Sequence, residues 1–268
     1  MRRILLAAFL LAATGCQTVQ TTQPGVVGVD RPQSMMISSA EVNASADKAY
    51  QQLVTGAAKK GQINQDAAQV ARVRRIAQRL IPQTGVFRPD APGWAWETNV
   101  LSSKEVNAWC MPGGKIAVYT GLIERLQPSD DELAAVMGHE IAHALREHGR
   151  ERVSQAQAQG MIIGVLGAVA GVSRSGMDLT QLLVDLTLNK PNSREHETEA
   201  DRIGVELAAR AGYDPRGAIT LWEKMGRLDG GHPPEFLSTH PSPSTRIADL
   251  RVYAAKVLPL YEAQRVKR

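Results

Sequence analysis

The chain has 268 residues, of which 43% are hydrophobic and 22% are charged, and its formal net charge is +4. This composition is ordinary for a globular protein with one substantial core. The charge is too small to indicate binding to nucleic acid, and no internal repeat is visible.

The first sixteen residues have the pattern of a bacterial lipoprotein signal. A basic start, Arg2 and Arg3, precedes an apolar run over residues 4–13 and a few small residues before Cys16. The apolar run is about half as long as a helix that crosses a bilayer, so a permanent transmembrane anchor is not expected. We predict a signal peptide over residues 1–15 and a lipid on Cys16. An ordinary cleaved signal is the alternative, because Ala13 stands where such signals usually carry Leu.

The residues after Cys16 are predicted to be a tether. Residues 17–44 are rich in Gln, Thr, Val, Gly and Ser and lack helical periodicity. A flexible chain of this length spans roughly 30 Å on average. We therefore predict a lipidated N-terminus and flexible tether over residues 16–44 in the bacterial periplasm. Gln17 resembles the sorting residue of lipoproteins kept at the outer rather than the inner membrane.

Two helices and a small sheet are predicted next. The helices cover residues 47–59 and the stretch from Asn64 to about residue 81, with Asn64 as the N-cap. Residues 94–100 and 115–120 have strand composition and are bounded by Pro and Gly. Cys110 has no partner within the mature chain and is predicted to be a buried small side chain, with an intermolecular bridge as the alternative.

A helix is predicted over residues 129–149. Ser129 and Glu132 have the spacing of a capping box, and Pro128 discourages an earlier start. Apolar residues recur at helical spacing inside this range, which gives the helix a buried side. Gly149 is the predicted stop.

This helix carries the motif His-Glu-x-x-His. His139 and His143 are four residues apart on one face and can offer two imidazole nitrogens to one zinc ion. Glu140 projects beside them, where a carboxylate can take a proton from a zinc-activated water, as in a metalloprotease. A helix with two core or solvated histidines is the alternative.

The region after the motif is less specific. Arg146 and Gly149 stand where a metzincin has Gly and His, so that class is excluded. His148 is predicted to be a structural histidine at the helix end, favoured by the helix dipole. The apolar residues 160–172 are too few to cross a membrane and are predicted to form a close-packed or mobile helical segment near the site, with membrane contact as the alternative.

A catalytic zinc site needs a third protein ligand, and a predicted helix over residues 193–212 supplies candidates. Glu197 and Asp201 lie four apart on one face. Glu197 can bind the metal while Asp201 accepts the outer N–H of a ligating histidine. Glu195 and Glu199 lie on other faces and are predicted to be solvated, although spacing alone leaves either open as the ligand.

Four stretches resemble the gluzincin metallopeptidase family that includes HtpX, the CAAX prenyl proteases, BepA and LoiP. They are residues 107–121, 139–143, 193–204 and 238–247, in the family's order. The lipoprotein start makes the LoiP-like periplasmic lipoprotein metalloproteases the most similar branch. The resemblance implies an α+β, mainly helical, zincin-type metallopeptidase domain over residues 45–268, with a small β-sheet beside the zinc helix.

The resemblance also implies roles for individual residues. Glu197 becomes the third ligand of one zinc ion per chain. Arg246 and His240 are singled out near the metal, and His240 either caps the zinc at rest or acts as a donor in the transition state once displaced. The residues expected to contact the substrate are Asn107, Gly113 and Gly114.

These observations predict a zinc-dependent endopeptidase of the cell envelope. Its substrates would be unfolded or misassembled envelope proteins, and envelope chaperones or other proteases are its expected partners. The alternative is a zinc-stabilised chaperone or assembly factor with little or no proteolysis. A protease for lipid-modified substrates would require membrane helices, which the sequence does not indicate.

Overall fold

The computed structural model describes part of the chain. The described ranges are residues 17–169, 178–228, 235–241 and 245–266, with the backbone alone for 161–169. The predicted signal peptide and the predicted lipid site at Cys16 lie outside the described residues and stay predictions.

Helices dominate the described residues. The strands are β1 (Gln17–Val19), β2 (Gln33–Met35), β3 (Glu97–Leu101), β4 (Ala108–Met111) and β5 (Lys115–Tyr119). The helices are α1 (Ser39–Lys59), α2 (Ala67–Leu80), α3 (Thr120–Leu126), α4 (Asp130–Leu145), α5 (His148–Val169), α6 (Leu179–Val184), α7 (Arg194–Arg210), α8 (Gly217–Gly226), α9 (Glu235–Thr239) and α10 (Arg246–Val266). A π-helical turn at Asp185–Asn189 extends α6. This confirms the predicted mainly helical α+β class.

A three-stranded sheet lies beside α4, as predicted. Its order is β3-β5-β4, with β5 parallel to β3 and antiparallel to β4. Gly113 and Gly114 form the turn between β4 and β5 with φ angles of 81° and 87°, a conformation that glycine adopts readily. A Cβ atom on Gly114 would also lie 2.7 Å from the indole ring of Trp96. The outer strand β4 packs against α4.

Helix α4 is the buried centre of the fold. Its predicted capping box forms: the Ser129 side chain accepts from the Glu132 N–H, and the Glu132 carboxylate accepts from the Ser129 N–H. α4 crosses α7 at Gly138 and Gly204. A Cβ atom on Gly138 would lie 2.8 Å from the backbone oxygen of Gly204, and one on Gly204 would lie 2.7 Å from the backbone nitrogen of His139. Because no side chain separates the two backbones there, the predicted metal-binding residues of both helices come together.

Residues 17–38, here called the N-terminal segment, are folded onto the molecule, so the predicted flexible tether is wrong for them. β1 pairs with β2, and β2 packs against α5. The rest of the predicted tether, residues 39–44, already belongs to α1. The buried side chains of the segment are Thr22, Val27, Val29, Gln33, Met35 and Ile37.

Polar contacts explain why the composition of the segment misled the prediction. Gln33 donates to the Arg146 carbonyl at 2.8 Å and to the Glu151 carboxylate at 2.6 Å. The Val27 N–H donates to the Glu206 carboxylate at 2.9 Å. These polar groups of the segment therefore meet buried partners rather than water.

The first two helix starts also differ from the prediction. α1 extends N-terminally beyond residue 47 because Ser38 and Glu41 form a capping box. Asp66 rather than Asn64 caps α2. Asn64 instead has a φ of 53° and accepts a hydrogen bond from the Val100 N–H.

The end of α4 lies earlier than predicted. The chain reverses at Glu147, whose φ is 51°, and α5 begins at His148. The predicted strand at 94–100 is β3, which begins at Glu97. The predicted apolar segment at 160–172 continues α5 as far as Val169, and its last three residues lie outside the described ranges. Within the described ranges, no helix combines the length and apolar character needed to cross a membrane.

Candidate metal centre

His139 and His143 project from α4 toward Glu197 on α7. The Nε2 atoms of the two histidines lie 3.1 Å apart, and the Glu197 oxygens lie 3.4 Å from His139 Nε2 and 3.3 Å from His143 Nε2. All three side chains are buried. In a tetrahedral zinc site with bonds of about 2.0–2.1 Å, neighbouring ligand atoms lie about 3.3 Å apart. These three groups therefore fit one metal ion.

His240, which follows α9, is a fourth group at the same point. Its Nδ1 lies 3.0 Å from a Glu197 oxygen and 3.2 Å from His139 Nε2. The ligand atoms of the four residues all lie within 4.8 Å of one another. Stacking on Phe236, with ring centroids 4.3 Å apart, holds the His240 ring in place. The structure thus brings His240 to the metal position, and its action as a cap stays a prediction.

A carboxylate holds the outer nitrogen of His139. Asp201 Oδ1 lies 2.9 Å from His139 Nδ1 and also accepts from Arg246 at 2.6 Å. Arg246 donates to Glu197 at 3.2 Å, and its guanidinium lies 3.3 Å from the centroid of the Trp222 ring. Because Asp201 accepts, the proton of His139 belongs on Nδ1 and its Nε2 lone pair faces the metal position.

Glu140 lies beside the cluster with an oxygen that has no hydrogen-bond donor. Its Oε1 is buried, lies 3.4 Å from His240 Nε2, and accepts no hydrogen bond from the described part of the chain. Burial raises the pKa of this carboxyl, although His240 and His139 oppose the shift. A carboxylate so placed can take a proton from a neighbouring water, which is the predicted role.

Electrostatics distinguish the two histidines of α4. Burial lowers the pKa of His139, but Glu197 and Asp201 raise it to about 9. Burial, together with His139 and His240, lowers the pKa of His143 to about 3 although Glu197 opposes the shift. A metal ion that binds Nε2 of both histidines competes with the second proton of His139, the one on Nε2 of the charged ring, so the metal affinity falls as the pH falls.

A cavity of about 30 Å³ lies next to these residues. Trp109 and Pro112 line it from the side of β4, and Thr187 and Asn192 line it from the connection between α6 and α7, together with His240. This volume can hold one water but no peptide side chain. The connection and His240 therefore border the site together with β4.

The three predicted substrate contacts lie at the ends of β4 and outside the lining of this cavity. Asn107 is buried and accepts from the Ala108 N–H, while Gly113 and Gly114 form the turn before β5. Substrate contact by these residues stays a prediction. Cys110 has a buried free thiol, and burial raises its pKa, as expected for a small buried side chain.

Glu199 is buried, which contradicts its predicted solvated position. Helix α7 packs against α4 and α10, and Arg31 of the N-terminal segment covers a further side. Glu199 accepts from His148 Nε2 at 3.0 Å, from Arg146 at 2.9 Å and from Arg31 at 2.6 Å. The side chain of Glu195 is 64% exposed, as predicted. His148 is buried, and it lies at the start of α5 rather than at the end of a helix as predicted.

Residues 67–254 match the model of peptidase family M48. Metalloprotease LoiP of Escherichia coli (strain K12) is 28% identical over 253 residues, which cover 93% of this chain and 95% of that protein. Mitochondrial metalloendopeptidase OMA1 of Arabidopsis thaliana is 42% identical over 154 residues, covering 58% of this chain and 30% of that protein. The beta-barrel assembly-enhancing protease of Escherichia coli (strain K12) is 32% identical over 172 residues, which cover 60% of this chain and 35% of that protein. The chain spans between 30% and 50% of the length of four mitochondrial relatives.

Proposed function

The chain belongs to peptidase family M48, and from this premise we propose that it is a zinc-dependent endopeptidase. The observation that carries the proposal is the convergence of His139, His143 and Glu197 on one point, with the unbonded oxygen of Glu140 beside it. Two imidazoles and one carboxylate form a ligand set typical of catalytic zinc. A purely structural site has no use for a buried base next to the metal.

Each side chain of the site has a separate role in the proposed hydrolysis of a peptide bond. When bound, zinc polarises the scissile carbonyl and lowers the pKa of its water toward about 7. Glu140 takes the proton of the attacking water and passes it to the leaving amine. Asp201 and Arg246 fix the ring of His139. His240, once displaced from Glu197, can donate to the oxyanion that develops at the carbonyl.

The outer strand β4 is the proposed binding edge for an extended peptide. An edge strand beside the metal helix can hold many peptide sequences through main-chain hydrogen bonds. In the structure, Thr187, Asn192 and His240 line the cavity next to this strand. The proposal therefore includes a latent resting form, in which peptide entry requires movement of the connection between α6 and α7 and of His240.

The proposed substrates are unfolded or misassembled proteins of the bacterial envelope. Support comes from LoiP, a metalloprotease by name that aligns over nearly its whole length, and from a relative whose name refers to β-barrel assembly. From the predicted leader and Cys16 we propose a periplasmic protein with a lipid anchor in the outer membrane. Envelope chaperones or other proteases are its proposed partners. The OMA1 relatives show that the matched region also occurs in mitochondrial proteins.

One observation favours a second candidate, a zinc-stabilised chaperone or assembly factor. With His240 included, four protein side chains surround the metal position. Closed four-ligand zinc sites are typical of structural rather than catalytic zinc. In that case the site would stabilise a surface that binds unfolded envelope proteins.

Cleavage of casein, an unfolded protein, tests the proposal. The samples are the zinc-loaded mature chain, the same chain stripped by a chelator, Glu140→Gln and His240→Ala. We expect Glu140→Gln to keep one zinc per chain and to lower turnover at least about 100-fold, because it removes the general base. Chelation should abolish cleavage, and added zinc should restore it.

His240→Ala separates a latent enzyme from a binding module. If His240 acts as a cap, His240→Ala should cleave casein faster than the wild type, and if it acts as the donor to the oxyanion, His240→Ala should cleave casein more slowly. Full activity of Glu140→Gln would refute the mechanism. Absence of cleavage by both the zinc-loaded wild type and His240→Ala, with suppression of casein aggregation, would establish the second candidate.

A further inference from the structure

The Nδ1 atoms of His139 and His143, which face away from the metal position, have different partners. His139 Nδ1 faces the carboxylate of Asp201 directly, at 2.9 Å. His143 Nδ1 instead faces another imidazole: it lies 2.8 Å from Nδ1 of His148, whose Nε2 lies 3.0 Å from Glu199 Oε2. All five side chains are buried. An imidazole therefore stands between His143 and its carboxylate.

The positions of the protons in this chain of contacts follow from Glu199. Its carboxylate also accepts from Arg146 Nε at 2.9 Å and from Arg31 Nε at 2.6 Å, so it remains an acceptor. His148 must then donate from Nε2, which leaves its Nδ1 as an acceptor. His143 in turn donates from Nδ1, and its Nε2 lone pair faces the metal position.

We propose that His148, oriented by Glu199, is a positioning residue that fixes the tautomer and ring angle of His143. The inference rests on the proposed zinc site and deepens it. His148 acts through His143 and is not itself one of the groups that converge on the metal position. A hydrogen bond behind a ligating histidine typically contributes a factor of about 10–100 to metal affinity.

A second metal site is the competing interpretation of this region, because ligand atoms of His148, Glu151 and His196 lie within 4.8 Å of one another. The contacts argue against it. The rings of His148 and His196 stack at 4.2 Å with an angle of 16°, so their in-plane lone pairs run side by side instead of meeting at one point. Both Glu151 oxygens accept from Arg31, at 2.7 and 2.9 Å, and Gln33 donates to one of them. The guanidinium would repel a divalent cation.

Two substitutions of His148 separate its two contacts. An Asn amide lies near the place of the imidazole Nδ1, and a Gln amide lies near the place of Nε2. H148N therefore keeps an acceptor for His143 and loses the bond to Glu199, whereas H148Q keeps the bond to Glu199 and loses the acceptor. The matched control is H196Q, since His196 stacks on His148 and binds Glu151 rather than a zinc ligand.

The main readout is zinc affinity, measured by competition with a chromophoric chelator. We expect H148Q to raise the Kd for zinc about 10–100-fold. H148N should stay closer to the wild type, and H196Q should match it. The absorption spectrum of the cobalt-substituted protein should change in H148Q, because the ring of His143 is no longer held. The value of kcat/KM on casein should follow the same order.

Equal losses of zinc affinity in H148N and H148Q would overturn the inference, because they would indicate a packing role alone. Unchanged affinity in H148Q would overturn it as well. A wild-type chain that binds no zinc would overturn both this inference and the proposed function. A chain that binds zinc but cleaves casein neither as the wild type nor as His240→Ala would overturn only the proposed activity.

A measurement on the zinc-loaded wild type tests the inference even if the variants fail to fold. Nitrogen-15 NMR of the histidine side chains reports which ring nitrogen carries the proton. We expect the proton of His143 on Nδ1 and that of His148 on Nε2. A proton on Nδ1 of His148, or on both of its nitrogens, would overturn the inference.

Discussion

The α4–α7 crossing and the contact of the N-terminal segment with α7 are held by different forces. At the crossing, the backbones meet at Gly138 and Gly204, and the fit depends on volume. The N-terminal segment adds hydrogen bonds of Arg31 and Gln33 with buried charged groups to the packing of apolar side chains such as Val27. The geometry of the crossing therefore depends on packing, whereas the attachment of the segment also depends on charge.

The largest effect on stability and zinc binding is expected from Gly138→Ala, which alters the α4–α7 crossing. The added Cβ would lie 2.8 Å from the Gly204 oxygen, so the helices must separate. We expect a loss of about 1–3 kcal/mol in the free energy of unfolding, together with weakened zinc binding. Urea denaturation and chelator competition measure the two quantities. Gly56→Ala in α1, where nothing lies within 4 Å, is the control and should be neutral or stabilising. Wild-type zinc affinity in Gly138→Ala would show that this contact does not set the site.

Arg31→Leu tests the charged contacts that attach the N-terminal segment. The substitution leaves Glu151 without a guanidinium partner and Glu199 with that of Arg146 alone, and the Arg31 side chain is only 23% exposed. We expect a loss of about 1–3 kcal/mol in the free energy of unfolding and faster proteolysis within residues 17–38. Arg251→Leu is the matched control, because its pair with Glu223 is exposed. Equal stabilities of the two variants would contradict the assigned role of Arg31.

The smallest and most gradual effect is expected from acid. Burial raises the pKa of Glu151, but hydrogen bonds from Arg31, His196 and Gln33 outweigh burial and hold it far below its ordinary value of 4.5. A carboxyl with a lowered folded pKa stabilises the fold above its unfolded pKa, and this contribution is lost as the pH falls through the folded value. The free energy of unfolding should therefore decline progressively from about pH 5 to about pH 3.

A chelator in every sample of this titration keeps zinc release out of the measurement. Arg31→Leu should show a shallower decline than the wild type, because its Glu151 has lost its strongest partner. Parallel declines would mean that other carboxyls dominate the acid sensitivity.

Local spacing predicted the part of the site that lies within single helices. His139 with His143, and Glu197 with Asp201, are four residues apart, so the period of one helix places each pair on one face. The capping box of Ser129 and Glu132 similarly acts within one turn, and it forms. Such predictions succeed because they need no knowledge of what packs on the helix.

The parts that the sequence did not reveal depend on long-range pairing. Glu199 and Arg31 are 168 residues apart, and a Glu on the far side of a helix looks solvated until its partner is known. Gly138 and Gly204 carry no local sign of mutual contact, although Gly138 stands directly before the motif. The N-terminal segment was misassigned for the same reason, because polar composition cannot distinguish water from a buried charge as the partner.

The folded N-terminal segment changes the reach of the enzyme. Cys16, the proposed lipid site, is covalently attached to the first residue of β1, and β1 pairs with a strand that packs on α5. With a lipid at Cys16, the folded protein would lie directly at the membrane surface, because no flexible linker would separate it from the lipid. It would then cleave only polypeptides that come to the bilayer surface.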